Sequence, residues 1–282
     1  MASGTITDPP GQPALSSWRR LCERHRWLPF VLPLFVYLSG DYLERAVAGR
    51  VPSQPAVQAD GVAPDPGGEG RVDDSPRVPH RLAYPVAYSV RILFTVAAMW
   101  LVWPVYRDVP WRISGMAVPV GLIGGLAWIL ICRAGLDSRL FSALGISQWL
   151  THGARAGFDP FTALGDSLLL LLPFLVVRFA GLAVIVPVVE EFFLRGFLMR
   201  FFTRAEWWTV PLGTVTTGSA IVATVYAVLS HPSESMAALV WFTMITLLYA
   251  RTRNLWDCVV AHGVTNAMLG CYILIWKDWT LW

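Results

Sequence analysis

Long apolar stretches separated by polar segments constrain the fold of this chain more than any other sequence feature. Only 15% of its 282 residues are charged and 55% are hydrophobic, whereas roughly 25% of the residues in a typical soluble domain are charged. Several stretches approach the length of about 20 residues that a helix needs to cross a bilayer. The alternating ten-residue segments of a membrane β-barrel do not occur. We therefore predict an all-α fold, a polytopic transmembrane bundle of about seven or eight helices.

The apolar stretches define the candidate spans. The longest of them, around Pro187, is too long for one untilted span and predicts either one long kinked helix or two consecutive helices. Residues 138–150 lie in a polar loop and are predicted to form an interfacial helix. The seven expected spans are Trp27–Leu43, Ala87–Tyr106, Gly115–Cys132, Asp166–Phe202, Pro211–His231, Ser235–Ala250 and Leu255–Trp276.

Polar segments set the domain organisation. Residues 1–26 are predicted to form a flexible cytoplasmic tail, 27–164 a set of N-terminal membrane helices with two long loops, and 165–282 a C-terminal helical core. Arginines flank the spans on one side, which the positive-inside rule assigns to the cytoplasm together with the N-terminus. A cleaved signal peptide is the rival interpretation of the first apolar stretch, because residues 46–48 resemble a cleavage site.

The overall charge and the cysteines exclude some classes of function. The net charge of +3 arises from 22 basic and 19 acidic residues, a balance without the basic excess that nucleic-acid binding requires. We therefore expect the lipid bilayer, and no nucleic acid, as a partner. The four cysteines lack the spacing of a disulfide framework or of a structural zinc site.

Five charged residues fall inside predicted spans, where each is a candidate for function because a charge at bilayer depth is costly. Arg91 and Arg178 are interpreted as structural, by snorkelling or by pairing. Glu191 and Arg195 are four residues apart and are expected to form an ion pair on one helical face. Glu190 is rotated by about 100° from Glu191, so Arg195 cannot easily neutralise both carboxylates. Glu190 therefore remains available and suits the role of general base.

Two later helices each contribute a histidine. His231 ends the stretch VYAVLSHP, and His262 lies in VVAHGVTN. His262 and Asn266 are spaced i and i+4 and therefore project from one face of the last helix. A single histidine on an apolar helix is usually a hydrogen-bonded core residue. Here that explanation must account for two histidines, an asparagine and two glutamates in the same part of the chain, so we interpret them as one site.

The order of these motifs resembles the CAAX protease and bacteriocin-processing family, also called the Abi family, of intramembrane glutamate proteases. Its members carry EExxxR, FxxxH and HxxxN or HxxxD on successive helices. EEFFLR at 190–195 and HGVTN at 262–266 match the first and third patterns. The second pattern fits imperfectly, because Ala227 stands four residues before His231 and the aromatic Tyr226 stands five before it. The extended run RFAG…PVVEEFFLRGFLMR also resembles bacterial CAAX-protease-related proteins associated with exosortase and PEP-CTERM surface sorting.

The resemblance implies an activity and a role for each site residue. It implies an intramembrane endopeptidase in which Glu190 and His231 activate water. His262 and Asn266 would stabilise the oxyanion, and the ion pair of the first motif would orient the site. Such chemistry needs a base for water and donors where negative charge develops.

The resemblance covers residues 165–276, so 165–282 is predicted to be a CAAX-protease-like catalytic core. It implies a membrane-associated protein or peptide as substrate, no cofactor, and a role in surface-protein sorting. It also implies an integral membrane protein of the inner membrane of a bacterium. Zinc stays open as an alternative cofactor, since two histidines and two glutamates could hold a catalytic metal.

Other functions remain compatible with the sequence. The HExxH, GxSG and GxGD motifs of the other intramembrane protease classes do not occur. A non-proteolytic membrane protein could use the same buried cluster to bind a partner or to transfer protons or ions. A scaffold in which these residues only hold helices together is a third hypothesis, and it predicts that Glu190→Gln affects stability without affecting function.

Overall fold

The computed structural model describes residues 17–48, 80–147 and 157–281, which form ten helices and no strand. The predicted all-α bundle is thereby confirmed. In chain order the helices are α1 Ser17–Arg24, α2 Leu28–Ala48, α3 Ala83–Tyr106, α4 Ala117–Arg133, α5 Leu136–Ala143, α6 Pro160–Leu164, α7 Leu168–Phe201, α8 Thr217–Ser230, α9 Ser235–Thr252 and α10 Leu255–Trp276.

Four helices are long and apolar enough to cross a membrane: α3, α7, α9 with the turn before it, and α10. α4 and α5 pass the same test only as a pair bent by 51°, which brings the number of candidate spans among the described residues to five. The polytopic architecture is confirmed, but seven long spans are not found. α2 has 21 residues but carries Asp41, Glu44 and Arg45 in its last turns, and it is not among the candidate spans. α8 has 14 residues, fewer than the roughly 20 that a span needs.

α8 begins later than predicted because the residues before it form a turn. Gly213 has a φ of 82°, a backbone conformation that favours glycine. Thr216 then caps the helix, because its hydroxyl accepts from the backbone N–H of Ser219 while the Ser219 hydroxyl accepts from the backbone N–H of Thr216. This capping box sets the start of α8 at Thr217.

The predicted N-terminal tail contains a folded part. Residues 17–24 form α1, and the Trp18 indole N–H donates to the carbonyl oxygen of Leu101 on α3 at 2.9 Å. Residues 1–16, 49–79 and 148–156 lie outside the described residues. These ranges include most of the first predicted loop, part of the second, and the end of the predicted interfacial helix at 148–150. The start of that interfacial segment is helical and belongs to α5.

The long apolar stretch forms one continuous helix, α7, so the first of its two predicted alternatives is confirmed. Two π-helical segments, Gly181–Ile185 and Phe192–Leu198, flank a short α-helical segment at Val186–Glu191. Pro187 has no N–H and therefore interrupts the backbone hydrogen bonds of the helix at this point. π-Helical segments inside α-helices are frequent at functional sites, and here they surround the two glutamates.

α10 packs closely against α4, α7 and α9, and glycines permit the close approach. A Cβ atom at Gly121 of α4 would lie 2.6 Å from the carbonyl oxygen of Ala261 on α10. A Cβ atom at Gly263 of α10 would lie 2.5 Å from the carbonyl oxygen of Ala183 on α7. The missing side chains let the backbones meet, and this contact brings the histidine of α10 to the glutamates of α7.

Candidate active site

Glu191 and Arg195 form the ion pair that their spacing predicts. Arg195 Nη1 lies 2.7 Å from Glu191 Oε2, and both side chains are fully buried. The contact does not meet hydrogen-bond geometry, and the three guanidinium nitrogens have no hydrogen-bond partner among the described residues. Arg195 Cζ lies 5.4 Å from the centroid of the Phe242 ring, close enough for a cation–π interaction. The short contact with Glu191 and the aromatic contact with Phe242 therefore hold this arginine.

His262 of α10 links the two glutamates. Its Nδ1 is 2.9 Å from Glu191 Oε1, and its Nε2 is 3.9 Å from Glu190 Oε2. The exposed fraction is 5% for His262 and 7% for Glu190, so the whole arrangement is buried. Within the described ranges no arginine forms an ion pair with Glu190, which agrees with the helical rotation that separates it from Arg195.

Asn266 lies where α10 meets the first π-helical segment of α7, and its Nδ2 donates to the carbonyl oxygen of Leu182 at 2.9 Å. In that segment the N–H of Val186 donates to Gly181 O, and Pro187 has no N–H. The Leu182 carbonyl is thus deprived of its usual backbone donor, and the Asn266 amide takes that place. One amide N–H of Asn266 therefore holds α10 to α7.

His231 is half-buried at the end of α8, and it shares one aromatic neighbour, Phe242, with His262. Its Nδ1 is 3.1 Å from the carbonyl oxygen of Ala227, one turn earlier in α8. The His231 ring packs against Trp128 of α4 and Phe242 of α9, with centroid distances of 5.4 and 5.9 Å. The Phe242 ring also packs against His262 at 6.5 Å. The aromatic neighbour that the FxxxH pattern places on α8 is thus supplied here by α4 and α9.

Three residues that the sequence analysis did not single out complete the surroundings. Phe242 contacts both histidines and Arg195, as described above. The Tyr249 hydroxyl donates to the carbonyl oxygen of Arg195 at 3.1 Å. Asp137 of α5 accepts from the backbone N–H of Met236 at 2.9 Å and so holds the first turn of α9. The sequence does not distinguish Phe242 and Tyr249 from the other aromatic residues, since the chain has 14 Phe and 8 Tyr. Asp137 falls in a predicted loop, where an aspartate is ordinary.

Zinc, the alternative cofactor, has no ligand set in the part of the chain that the structure describes. No three His, Cys, Asp or Glu side chains are grouped there so that they could hold a metal ion. His262 turns its Nδ1 to Glu191, which leaves only Nε2 on the side of Glu190. The residues present do not form a tetrahedral metal site in this conformation.

A second buried charge cluster lies between α2 and α3. Arg91 Nη1 is 2.8 Å from Asp41 Oδ1 and 3.1 Å from Glu44 Oε2. Its Nε donates to the carbonyl oxygen of Tyr37 at 3.1 Å, and its guanidinium lies over the Tyr37 ring. Arg178 stacks over a tyrosine ring of α3 at 4.5 Å. Of the two structural explanations for Arg91, pairing is the one that the structure shows.

Residues 172–268 match the protein-family model described as Type II CAAX prenyl endopeptidase Rce1-like. The segment runs from within α7 to within α10 and includes all the predicted site residues. Neither the curated proteins nor the solved structures contain a match to the chain. The family match supports intramembrane protease activity on membrane-associated substrates, and the apolar helices support an integral membrane protein. The C-terminal helical core is therefore similar to the Rce1-like type II CAAX prenyl endopeptidases, and this similarity supports the CAAX protease family.

Proposed function

We propose that this protein is an intramembrane endopeptidase in which Glu190 activates water to hydrolyse a peptide bond. The observation that carries the proposal is the position of His262 between two glutamates, 2.9 Å from Glu191 and 3.9 Å from Glu190. Arg195 neutralises Glu191, whereas Glu190 faces the histidine. The family match of the same segment favours peptide hydrolysis over other uses of such a cluster.

Glu190 acts as the general base in this proposal. The 3.9 Å between His262 Nε2 and Glu190 Oε2 exceeds a direct hydrogen bond and suits a bridge through one water molecule. As the water oxygen attacks the carbonyl carbon, Glu190 accepts a proton from that water. It then delivers the proton to the leaving amine nitrogen as the carbon–nitrogen bond breaks. One water is consumed, and a carboxyl end and an amine end are produced; His231 is the second group proposed to hold the water.

His262 and Asn266 are proposed to stabilise the oxyanion of the tetrahedral intermediate. The contact of His262 Nδ1 with Glu191 sets the orientation of the ring. Because one ring nitrogen is taken up by Glu191, Nε2 is the nitrogen that remains on the side of Glu190 and of the proposed oxyanion. Asn266 uses one amide N–H on Leu182 and has a second for the oxyanion.

The proposed substrate is a membrane-associated protein or peptide, because the candidate site is buried among membrane helices. The resemblance of the α7 sequence to exosortase-associated relatives supports a narrower proposal, that the protein acts during surface-protein sorting in the inner membrane of a bacterium, with its N-terminus in the cytoplasm. Accumulation of an unprocessed surface protein in cells that lack this chain would support the narrower proposal. Normal processing of all surface proteins in those cells would contradict it.

A second candidate function is proton or ion transfer, with partner binding as its variant. Glu190, His262 and Glu191 form a row of groups that could exchange protons if one water molecule bridged the 3.9 Å between His262 and Glu190. This function predicts that Glu190→Gln abolishes proton or ion movement across vesicles, or weakens binding of a partner. It also predicts that no peptide is hydrolysed by the unmodified protein.

The deciding experiment has two steps. A Glu190→Ala variant is used to trap the substrate for identification by mass spectrometry, and cleavage of that substrate is then followed with purified protein in lipid vesicles. We expect Glu190→Gln to reduce cleavage by about 10²–10⁴-fold, the range for loss of a general base. Cleavage at an unchanged rate in Glu190→Gln would reject the proposal. Loss of activity with a strong chelator and its return with Zn²⁺ would replace the glutamate mechanism with a metal mechanism.

A further inference from the structure

A cavity of about 440 Å³ lies outside the candidate active site, at the end of the bundle where α1, the last turn of α3 and the last turn of α7 meet. Its volume falls within the range of about 300–1,000 Å³ that is usual for small-molecule sites. Three tryptophans line it, Trp18, Trp207 and Trp208.

The cavity lies at the level where the membrane helices leave the apolar core. α3 and α7 are both candidate spans, and both end at this cavity, since Val105 and Arg200 line it. Tryptophan side chains concentrate at the boundary between hydrocarbon and headgroups. A cavity bounded by two helix ends and three indole rings therefore lies at headgroup depth.

The walls of the cavity carry both signs of charge. Arg26, Glu23 and Asp108 line it, all three are exposed, and within the described ranges none of them forms an ion pair. Arg26 lies over the Trp208 ring at 4.8 Å. The guanidinium of Arg200 donates to the backbone carbonyl oxygens of Val210 and Gly196. Arg26 is thus the more exposed of the two arginines that line the cavity.

Apolar side chains form the remaining wall. Phe30 is buried and lines the cavity together with Leu101, Val102 and Val105. The cavity is therefore amphipathic, with charged groups of both signs and aromatic rings alongside an aliphatic wall. The Phe30 ring stacks on Phe192 with a centroid distance of 6.4 Å, so a ligand resting on Phe30 would support α7 next to its glutamates.

We propose that this cavity binds the headgroup of a zwitterionic phospholipid with a primary ammonium group, such as phosphatidylethanolamine. Arg26 would bind the phosphate, while Glu23, Asp108 and the indole faces would bind the ammonium. The first acyl methylenes would lie on Phe30 and its aliphatic neighbours. Two carboxylates in the cavity disfavour a purely anionic headgroup, because like charges repel at this distance.

Binding of short-chain lipids to the purified full-length protein in detergent tests the proposal. We expect dihexanoyl phosphatidylethanolamine to bind at least about tenfold more tightly than dihexanoyl phosphatidylglycerol, and Arg26→Gln to weaken that binding about tenfold, as loss of one charge-assisted hydrogen bond does. Arg204→Gln, which removes an exposed arginine that does not line the cavity, should leave binding unchanged.

A double variant tests the contribution of the two carboxylates, and a soluble headgroup tests that of the acyl chain. Glu23→Gln with Asp108→Asn should remove the preference for phosphatidylethanolamine over phosphatidylglycerol while the unfolding temperature without lipid stays unchanged. Free phosphoethanolamine should bind more weakly than the lipid, since it lacks the acyl methylenes. Equal or tighter binding of phosphatidylglycerol to the unmodified protein, retention of binding in Arg26→Gln, or equal binding of phosphoethanolamine and the lipid would overturn the proposal.

Discussion

Arg91 on α3 and Arg195 on α7 are both buried beside carboxylates, yet their hydrogen bonding differs. Arg91 donates to Asp41, to Glu44 and to a backbone carbonyl oxygen at 2.8 to 3.1 Å. Arg195 contacts Glu191 at 2.7 Å by charge, but its nitrogens have no hydrogen-bond partner among the described residues. Arg91 thus donates to three groups of another helix, whereas Arg195 contacts one carboxylate of its own helix.

The difference separates a structural use of buried charge from a reactive one. Buried polar groups in folded proteins are almost always hydrogen-bonded, because leaving them unsatisfied costs stability. The Arg91 cluster follows this rule and ties α2 to α3. In the Glu190–Glu191 cluster the contact of His262 Nδ1 with Glu191 follows the rule. The Arg195 guanidinium departs from it among the described residues, and an exception of this kind is expected where groups must change partners during a reaction.

Removing each arginine is the change with the largest expected effect. Arg91→Met and Arg195→Met should each lower the free energy of unfolding by about 3–5 kcal/mol, because each leaves a buried carboxylate without its counter-charge. Only Arg195→Met should also lower cleavage per folded molecule, by about 10–100-fold as for loss of a positioning partner, since Glu191 then holds His262 less firmly. Equilibrium unfolding in detergent micelles and cleavage normalised to folded protein measure the two effects.

Arg204→Gln is the matched control, because Arg204 is exposed and should change neither quantity. The distinction between the two clusters fails if Arg91→Met lowers cleavage per folded molecule as much as Arg195→Met does.

Removing one carboxylate from each cluster should lower the free energy of unfolding by less than removing the arginine does. The loss should be larger in the Arg91 cluster than in the Glu190–Glu191 cluster. Glu44→Gln should lower the free energy of unfolding by about 2 kcal/mol, because Arg91 loses a charge-assisted hydrogen bond. Glu190→Gln should change it by less than about 1 kcal/mol, since this carboxylate has no arginine partner among the described residues. Denaturant titration of both variants checks the prediction. A loss for Glu190→Gln as large as that for Glu44→Gln would favour the scaffold hypothesis over a reactive site.

The contact between α7 and α10 provides a third test, which changes no charged residue. Gly263→Ala places a Cβ atom 2.5 Å from the carbonyl oxygen of Ala183, so α10 must shift at a cost of about 1–3 kcal/mol. The shift should also lower cleavage, because His262 directly precedes Gly263 on α10. Gly218→Ala on α8 is the control, since nothing lies within 4 Å of its added Cβ atom. Equal stability and equal cleavage in both variants would show that this close approach does not position the histidine.

Sequence spacing predicted the contacts within one helix more successfully than the extent of the spans. The spacing of Glu191 and Arg195 predicted their ion pair, and the rotation between neighbouring residues explains why Arg195 pairs with Glu191 and not with Glu190. The described residues contain four or five candidate spans where seven were expected, because hydropathy alone does not show where a turn such as that at Gly213 delays a helix. The role of Arg91 also stayed open, since Asp41 lies far from it in the sequence.

Composition and local spacing by themselves determined an all-α membrane protein in which Arg195 neutralises Glu191 and not the neighbouring Glu190. These features follow from the apolar content and from the repeating geometry of a single helix. Only the tertiary structure decided that His262 reaches both glutamates and that Asn266 donates to Leu182. Such contacts join separate helices, and their geometry depends on how closely the backbones pack. Here that packing depends on the glycine at position 263 and on the interruption of α7 at Pro187.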